Sequence, residues 1–293
     1  MSHVRLLPSS SPAPYGGGMG PDGLEVRIRQ GEERADVERF THTLNRLVAT
    51  LRVIDGAYTA SAIRPKWVVA GLSSEGRDLV ARVTARPDHR TKRSVQDMLM
   101  PVSALVRGVG LLAQEPEVPP FFVESAVTHL LEASQPANGV QEVSLATFNG
   151  AVGPPAAVSE AVRTNAAAAV QSGYATWGSV SGVLDIVNLR SKKSLKISVF
   201  DPATNRAVSG VISMDQGPEV HRTAREALGS RVLVGGRIYR NHRGQSIRVE
   251  VERIEVLGPA DAPRLKWGDL LGAAPELLDG RSVDEYLDRV RSA

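Results

Sequence analysis

The sequence predicts an α+β protein of two domains, an N-terminal α/β domain followed by a five-stranded β-barrel. Three observations lead there. Hydrophobic residues make up 42% and charged residues 23% of the 293, the balance of a chain that folds over most of its length. The first half alternates strand-like and helix-like apolar patterns, whereas the second half reads as three strands, a short helix and two strands. Cysteine is absent, so disulfides, thiolate metal sites and cysteine nucleophiles are excluded together.

The first 22 residues, rich in Ser, Pro and Gly, carry no apolar stretch of the length a secretory signal needs and are expected to form a mobile arm. No run of 18 apolar residues is present, so no membrane span is expected and the chain reads as cytoplasmic. The α/β domain is expected over 23–172. LEVRIRQ (24–30) alternates as a half-buried strand does. In 35–54, Val37, Phe40, Leu44, Leu47, Val48, Leu51 and Ile54 fall at helical spacing. KWVVAGL (66–72) and LVARVTA (79–85) flank a turn with Gly76 available for positive φ, a hairpin. A helix over 94–112 opens with Ser94 and Asp97 in the place of a capping box, although Pro101 and paired glycines argue against continuity. The prolines of PPFFVESAVTHLLEAS (119–134) suit a first helical turn. EVSLATF (142–148) is a further strand and the Ala-rich 154–171 a further helix.

The barrel is expected over 175–258. TWGSVSGVLDIVNL (176–189) places Val180, Gly182, Leu184 and Ile186 on one side, with glycines where a long strand can bend. LKISVF (195–200) and RAVSGVIS (206–213) are joined by DPATN, and PEVHRTAREALG (218–229) is a short helix between Pro218 and Gly229. RVLVGGRIYR (231–240) and QSIRVEVERIEVL (245–257) close the set as a hairpin.

The first-half order resembles the ferredoxin-like β-α-β-β-α-β arrangement, which by itself implies no function. The second-half order resembles the OB-fold, a five-stranded Greek-key barrel; a full helix between strands three and four separates it from SH3-like barrels. The OB resemblance implies that a ligand lies across strands 2–3, between the loops joining strands 1–2 and 4–5. Those loops are the most basic segments of the domain and contain no carboxylate: Arg190, Lys192, Lys193 and Lys196 in the first, Arg240, His242 and Arg243 in the second, with Arg237 just before it. Residues 175–258 hold 13 Lys/Arg against 8 Asp/Glu, while 1–174 balance at 17 against 17. Such clustering is the electrostatic footprint of a phosphate-bearing partner, although solvated hairpins in an Arg-rich chain are often basic without one. Single-strand binders also need aromatic platforms, and this barrel has three aromatics, Trp177, Phe200 and Tyr239. Tyr239 and Phe200 alternate with inward residues and are expected to face outward.

Residues 259–293 form a linker and a C-terminal amphipathic helix, capped by Ser282 and Glu285, with Val283, Tyr286, Leu287 and Val290 on one stripe. The whole layout, with WGSVSGVLDIVN in the barrel and LLDGRSVDEYLDRVR in the tail, looks like uncharacterised bacterial proteins, some found beside toxin-like nucleases. That resemblance implies an antitoxin-like or adaptor role with the tail helix docking a protein partner. Six histidines lie scattered with no pair at i, i+4, and no phosphate loop, dinucleotide fingerprint or nucleophile elbow occurs, so neither metal nor cofactor is expected. The leading expectation is a non-catalytic binder of single-stranded DNA or RNA. A protein-protein adaptor is the alternative, and an enzyme with a site formed between the domains stands third.

Overall fold

The computed structural model describes residues 23–32, 34–59, 63–90, 93–137, 139–188 and 194–259. Their first part runs β1 (Gly23–Gln30), α1 (Val37–Tyr58), β2 (Lys66–Glu75), β3 (Asp78–Arg86), α2 (Val95–Leu112), α3 (Glu124–Ser134), β4 (Val140–Phe148), β5 (Ala156–Ala157) and α4 (Glu160–Val170). The strands form one sheet in the order β2-β3-β1-β4-β5, antiparallel at each pairing. The central strand β1 buries Leu24, Val26 and Ile28 completely against the helices. The chain is thus mixed α+β, as expected.

Local chemistry sets the helix limits. Asp36 caps α1 by accepting from the Arg39 backbone N–H. The helix runs to Tyr58, one turn past the expected end, and Val37 is 78% exposed, so its apolar stripe takes effect only from Phe40. Ser94 caps α2, accepting from Asp97 N–H at 3.1 Å and donating to its carboxylate at 2.7 Å. Helix α2 is continuous through Pro101. The missing proline N–H would have met the Asp97 carbonyl, and Arg93 donates to that carbonyl instead, at 3.0 Å. The expectation of a helix starting on Pro119 is corrected. Phe121 takes a left-handed backbone (φ 65°), which breaks the turn, and α3 starts at Glu124.

Helix α2 is, by length and composition, apolar enough to cross a bilayer, so the sequence does not exclude a span on that ground; 44% of the segment is buried inside the protein. Among its core contacts, Gly108 meets the ring of Phe122. A Cβ built there lies 2.5 Å from Phe122 Cε2, and Phe122 is fully buried. Gly108→Ala is expected to lose ~1–2 kcal/mol despite the better helix propensity of alanine, read as a lower denaturant midpoint. A higher midpoint would mean that the Phe122 ring yields.

The second part runs β6 (Tyr174–Asn188), β7 (Ser194–Asp201), β8 (Arg206–Ser213), α5 (Pro218–Glu226), β9 (Ser230–Arg240) and β10 (Ser246–Pro259). These strands close into a barrel in the order β10-β8-β7-β6-β9, with β10 and β8 parallel. Leu184, Leu195, Val199, Val232, Val234 and Val249 fill it. Ile186 does not share the inward side of Leu184. The register between β6 and β7 shifts between these two residues, so Asp185 is a bulge and Ile186 turns outward.

Barrel and first sheet belong to one compact unit reaching Leu257. Ala207 and Ile247 of the barrel lie in the same apolar cluster as Leu24 and Leu105, and Phe121 stacks on Phe200 at 6.2 Å. The segment joining α2 to α3 seals the junction. Glu117 pairs with Arg206 at 3.1 Å, and Gln245 accepts from Val118 N–H at 3.0 Å.

Candidate functional site

The loop between β9 and β10 owes its shape to Asn241. This fully buried side chain accepts from the backbone N–H groups of Arg243 and Gln245 and donates to the carbonyl of Ala169, across the junction. That geometry turns the loop toward the end of α4. Arg243 pairs with Glu115 and, at 3.6 Å, with Glu117, while Arg240 donates to the Gly244 carbonyl at 2.9 Å. His242 lies against Gly173. Arg243, which looked unopposed in sequence, therefore meets carboxylates from 128 and 126 residues away. Arg190, Lys192 and Lys193 lie outside the described residues, as do Val283, Tyr286, Leu287 and Val290 and the arm 1–22.

Lys196 lies elsewhere, on a different surface. It is exposed on the outer face of β7, where Ser198 and Phe200 also point outward, since Leu195, Ile197 and Val199 point in. Helices α1 and α3 stand over this face and leave a cleft of about 550 Å³. Arg52, Arg64, Lys196 and Arg248 line it, against one carboxylate, Glu124. His129 also lines it, and its Nδ1 lies 3.5 Å from Glu132. The floor is a row in register across three strands: Arg248 of β10, Ser209 of β8 and Ser198 of β7. Ser198 is 7% exposed, and neither its hydroxyl nor the buried Nε of Arg248 has a hydrogen-bond partner. A cleft lined by four cations against one carboxylate is suited to an anionic ligand.

Two buried carboxylates support this cleft. Asp55, at the end of α1, is fully buried and receives Arg93 at 2.7 Å and Arg64 at 3.2 Å; Arg64 also donates to the Asp55 and Thr59 carbonyls. Arg64 is thereby held at the cleft wall. Asp185, at the bulge, lies behind the lining made by Ile186 and Ser198, both its oxygens enclosed and without a partner at bonding geometry. Burial pushes its carboxyl up to about 6, opposed in part by the nearby Ser198 hydroxyl, the backbone N–H groups of Asp185 and Ile186, and the Arg64 charge.

Sequence reasoning missed Arg52, Arg64 and Arg248. Arg52 and Arg64 come from the first part of the chain, and only tertiary packing brings them to the barrel. Arg248 was legible: it alternates with the inward Ile247 and Val249. Tyr239 does face out of the barrel, but it is half-buried, and its hydroxyl donates to Glu250 at 2.8 Å. The guanidinium carbons of Arg248 and Arg237 lie 4.4 and 5.5 Å from its ring centroid. Phe200 is taken up by its stack on Phe121. Among the described residues, no three His, Asp or Glu side chains converge as a metal site would need.

Fold and cleft define a class, an α+β protein in which a closed five-stranded barrel is roofed by helices over a cationic cleft. No family model matches the chain, and no curated protein matches it. Among solved structures, the chain is similar to "OBody AM1L10 bound to hen egg-white lysozyme", at 16% identity over 29% of this chain and 82% of that one, with a TM-score of 0.25. A likeness at that score carries no argument here.

Proposed function

We propose that this protein is a non-catalytic binder of single-stranded nucleic acid, with the strand lying in the cleft between α1, α3 and the β7-β8-β10 face. The observation that carries the proposal is the lining: four cationic side chains against one carboxylate, over the Arg248–Ser209–Ser198 row. The fold reading supports it. Strand order β10-β8-β7-β6-β9, a parallel β8–β10 pair and α5 between the third and fourth strands are the arrangement of an OB-like barrel, whose ligand face is its second and third strands. The first sheet's order β2-β3-β1-β4 is likewise that of a ferredoxin-like domain, extended here by β5 and α4. Each phosphate contacted by a cation releases counterions, which makes affinity fall with salt at a logarithmic slope of about −0.7 per contact on a single strand.

The test is fluorescence anisotropy with labelled single-stranded DNA, single-stranded RNA and duplex DNA across a salt series. Binding with a slope of about −2 to −3 is expected for three or four contacts. An Arg52→Ala, Lys196→Ala variant should reduce that slope by about 1.4, two contacts' worth. An Arg240→Ala, Arg243→Ala variant should leave it nearly unchanged. Absence of binding at low salt would refute the proposal, as would a loss confined to the Arg240/Arg243 variant.

One observation favours a second reading, an enzyme acting in the same cleft: the raised carboxyl of Asp185 beside Ser198. Both its oxygens are closed off from the cleft, which weighs against it. Turnover of a bound oligonucleotide that Asp185→Asn abolishes would establish it.

A further inference from the structure

We propose that the strand held in the cleft leaves it over β10 and β9 and stacks a base on Trp177, so that Trp177 is the platform this barrel otherwise lacks. The inference rests on the cleft reading above and adds to it an exit path and a minimum ligand length.

Four links on the outer face make the path. Arg248 lines the cleft and also lies over Tyr239. Arg237 lies over the same ring from the next position outward on β9. Arg237 is the direct cross-strand partner of Trp177 on β6, which puts the two side chains on one face of the pair. Trp177 is 69% exposed, the most exposed aromatic of the described chain, and Ala175 and Ser179 on either side of it on that face are too small to cover it. The long strand β6 thus serves twice: its C-terminal half borders the cleft through Ile186, and its N-terminal half carries Trp177 at the far end of the track.

The chemistry fits a nucleotide chain. Guanidinium groups at Arg248 and Arg237 alternate with a ring and end on an indole, a sequence of phosphate and base partners. Tyr239 is a positioning residue: half-buried and tied to Glu250, it holds the two guanidiniums and offers little face of its own. Glu250, beside the track, accepts from the Tyr239 hydroxyl. From Lys196 on β7 through β8, β10 and β9 to β6 are four inter-strand steps, about 19 Å. A dinucleotide held in the cleft is too short to cover that distance, whereas a strand near the lower end of OB-fold site sizes, about four nucleotides or more, can.

Intrinsic tryptophan fluorescence tests this on the full chain, with oligothymidines of about 2, 4, 8 and 12 nucleotides at low salt. Quenching is expected only from about four nucleotides upward, and Trp177→Phe should remove that quenching, assigning it to Trp177 rather than to Trp67 or Trp267. Trp177→Ala should weaken the longer oligomers about ten-fold and leave dinucleotide binding unchanged, with Trp177→Phe in between because it keeps a smaller stacking face. Salt-sensitive binding of all lengths with no Trp177 quenching, and equal affinities for the Trp177→Ala variant, would overturn the exit path while leaving the cleft reading intact. No binding of any oligomer would instead refute the cleft reading. A Trp177 blue shift that depends only on protein concentration would give this face to a second copy of the chain, and the inference would fall.

Discussion

Asp55→Ala is expected to cost about 3–5 kcal/mol of folding stability, the largest single effect outside the apolar core. Asp55 is fully buried and takes two guanidinium groups; Arg93 is only 13% exposed in its side chain and Arg64 32%. Removing the carboxylate leaves both cations without their counter-charge, one of them nearly enclosed, and that uncompensated charge dominates the cost. Arg93 also takes the carbonyl left open by Pro101 in α2, so its loss of position would reach a second helix. Equilibrium denaturation would show the shift. Asp55→Ala with Arg93→Met and Arg64→Met should recover much of it, since an apolar trio leaves no buried charge unpaired. A cost below about 1 kcal/mol would mean that water reaches the site.

Asp185→Asn should act in the opposite direction and raise stability by up to about 3 kcal/mol at pH 7 and above. Its carboxyl stands at about 6 in the folded chain against 3.8 when exposed, a displacement that corresponds to about that energy. Because the folded state holds the proton longer, this group's penalty is absent below about pH 3.8. It grows as pH rises to about 6 and is constant above. The gain from Asp185→Asn should therefore be near zero at pH 4 and complete by pH 7. A gain equal at both values would assign it to packing rather than to charge. The substitution also removes a negative charge from behind the proposed anion cleft, so oligonucleotide affinity should hold or rise.

Much of the barrel was legible because its signals are local. The bounds of β8 match the alternation of RAVSGVIS, and the helix between Pro218 and Gly229 lies where its punctuation placed it. The bulge at Asp185 was not legible. Alternation alone carries Ile186 inward, and only the extra residue opposite Ser198 turns it to the cleft. Phe121 hid for a similar reason: two prolines suit a helix start, but a left-handed residue after them ends that option. The site was less legible than the fold, because charge counted along the chain is blind to partners brought in by packing. Arg243 looked free until Glu115 and Glu117 came to meet it, whereas Arg248, inconspicuous in a strand of mixed charge, lies on the cleft floor. Trp177 could have been found, since it alternates with the inward Val180 and Gly182 only if it faces out.

The junction through Asn241, Glu117 and Phe121 bears on how the chain comes into being. The barrel's Ala207 and Ile247 finish an apolar cluster begun at Leu24, more than 180 residues earlier, and Asn241 closes on a carbonyl of α4. During synthesis the first sheet therefore leaves the ribosome with one flank that the barrel, made later, has yet to cover. The two halves, separable on paper by their patterns, are joined through one apolar cluster.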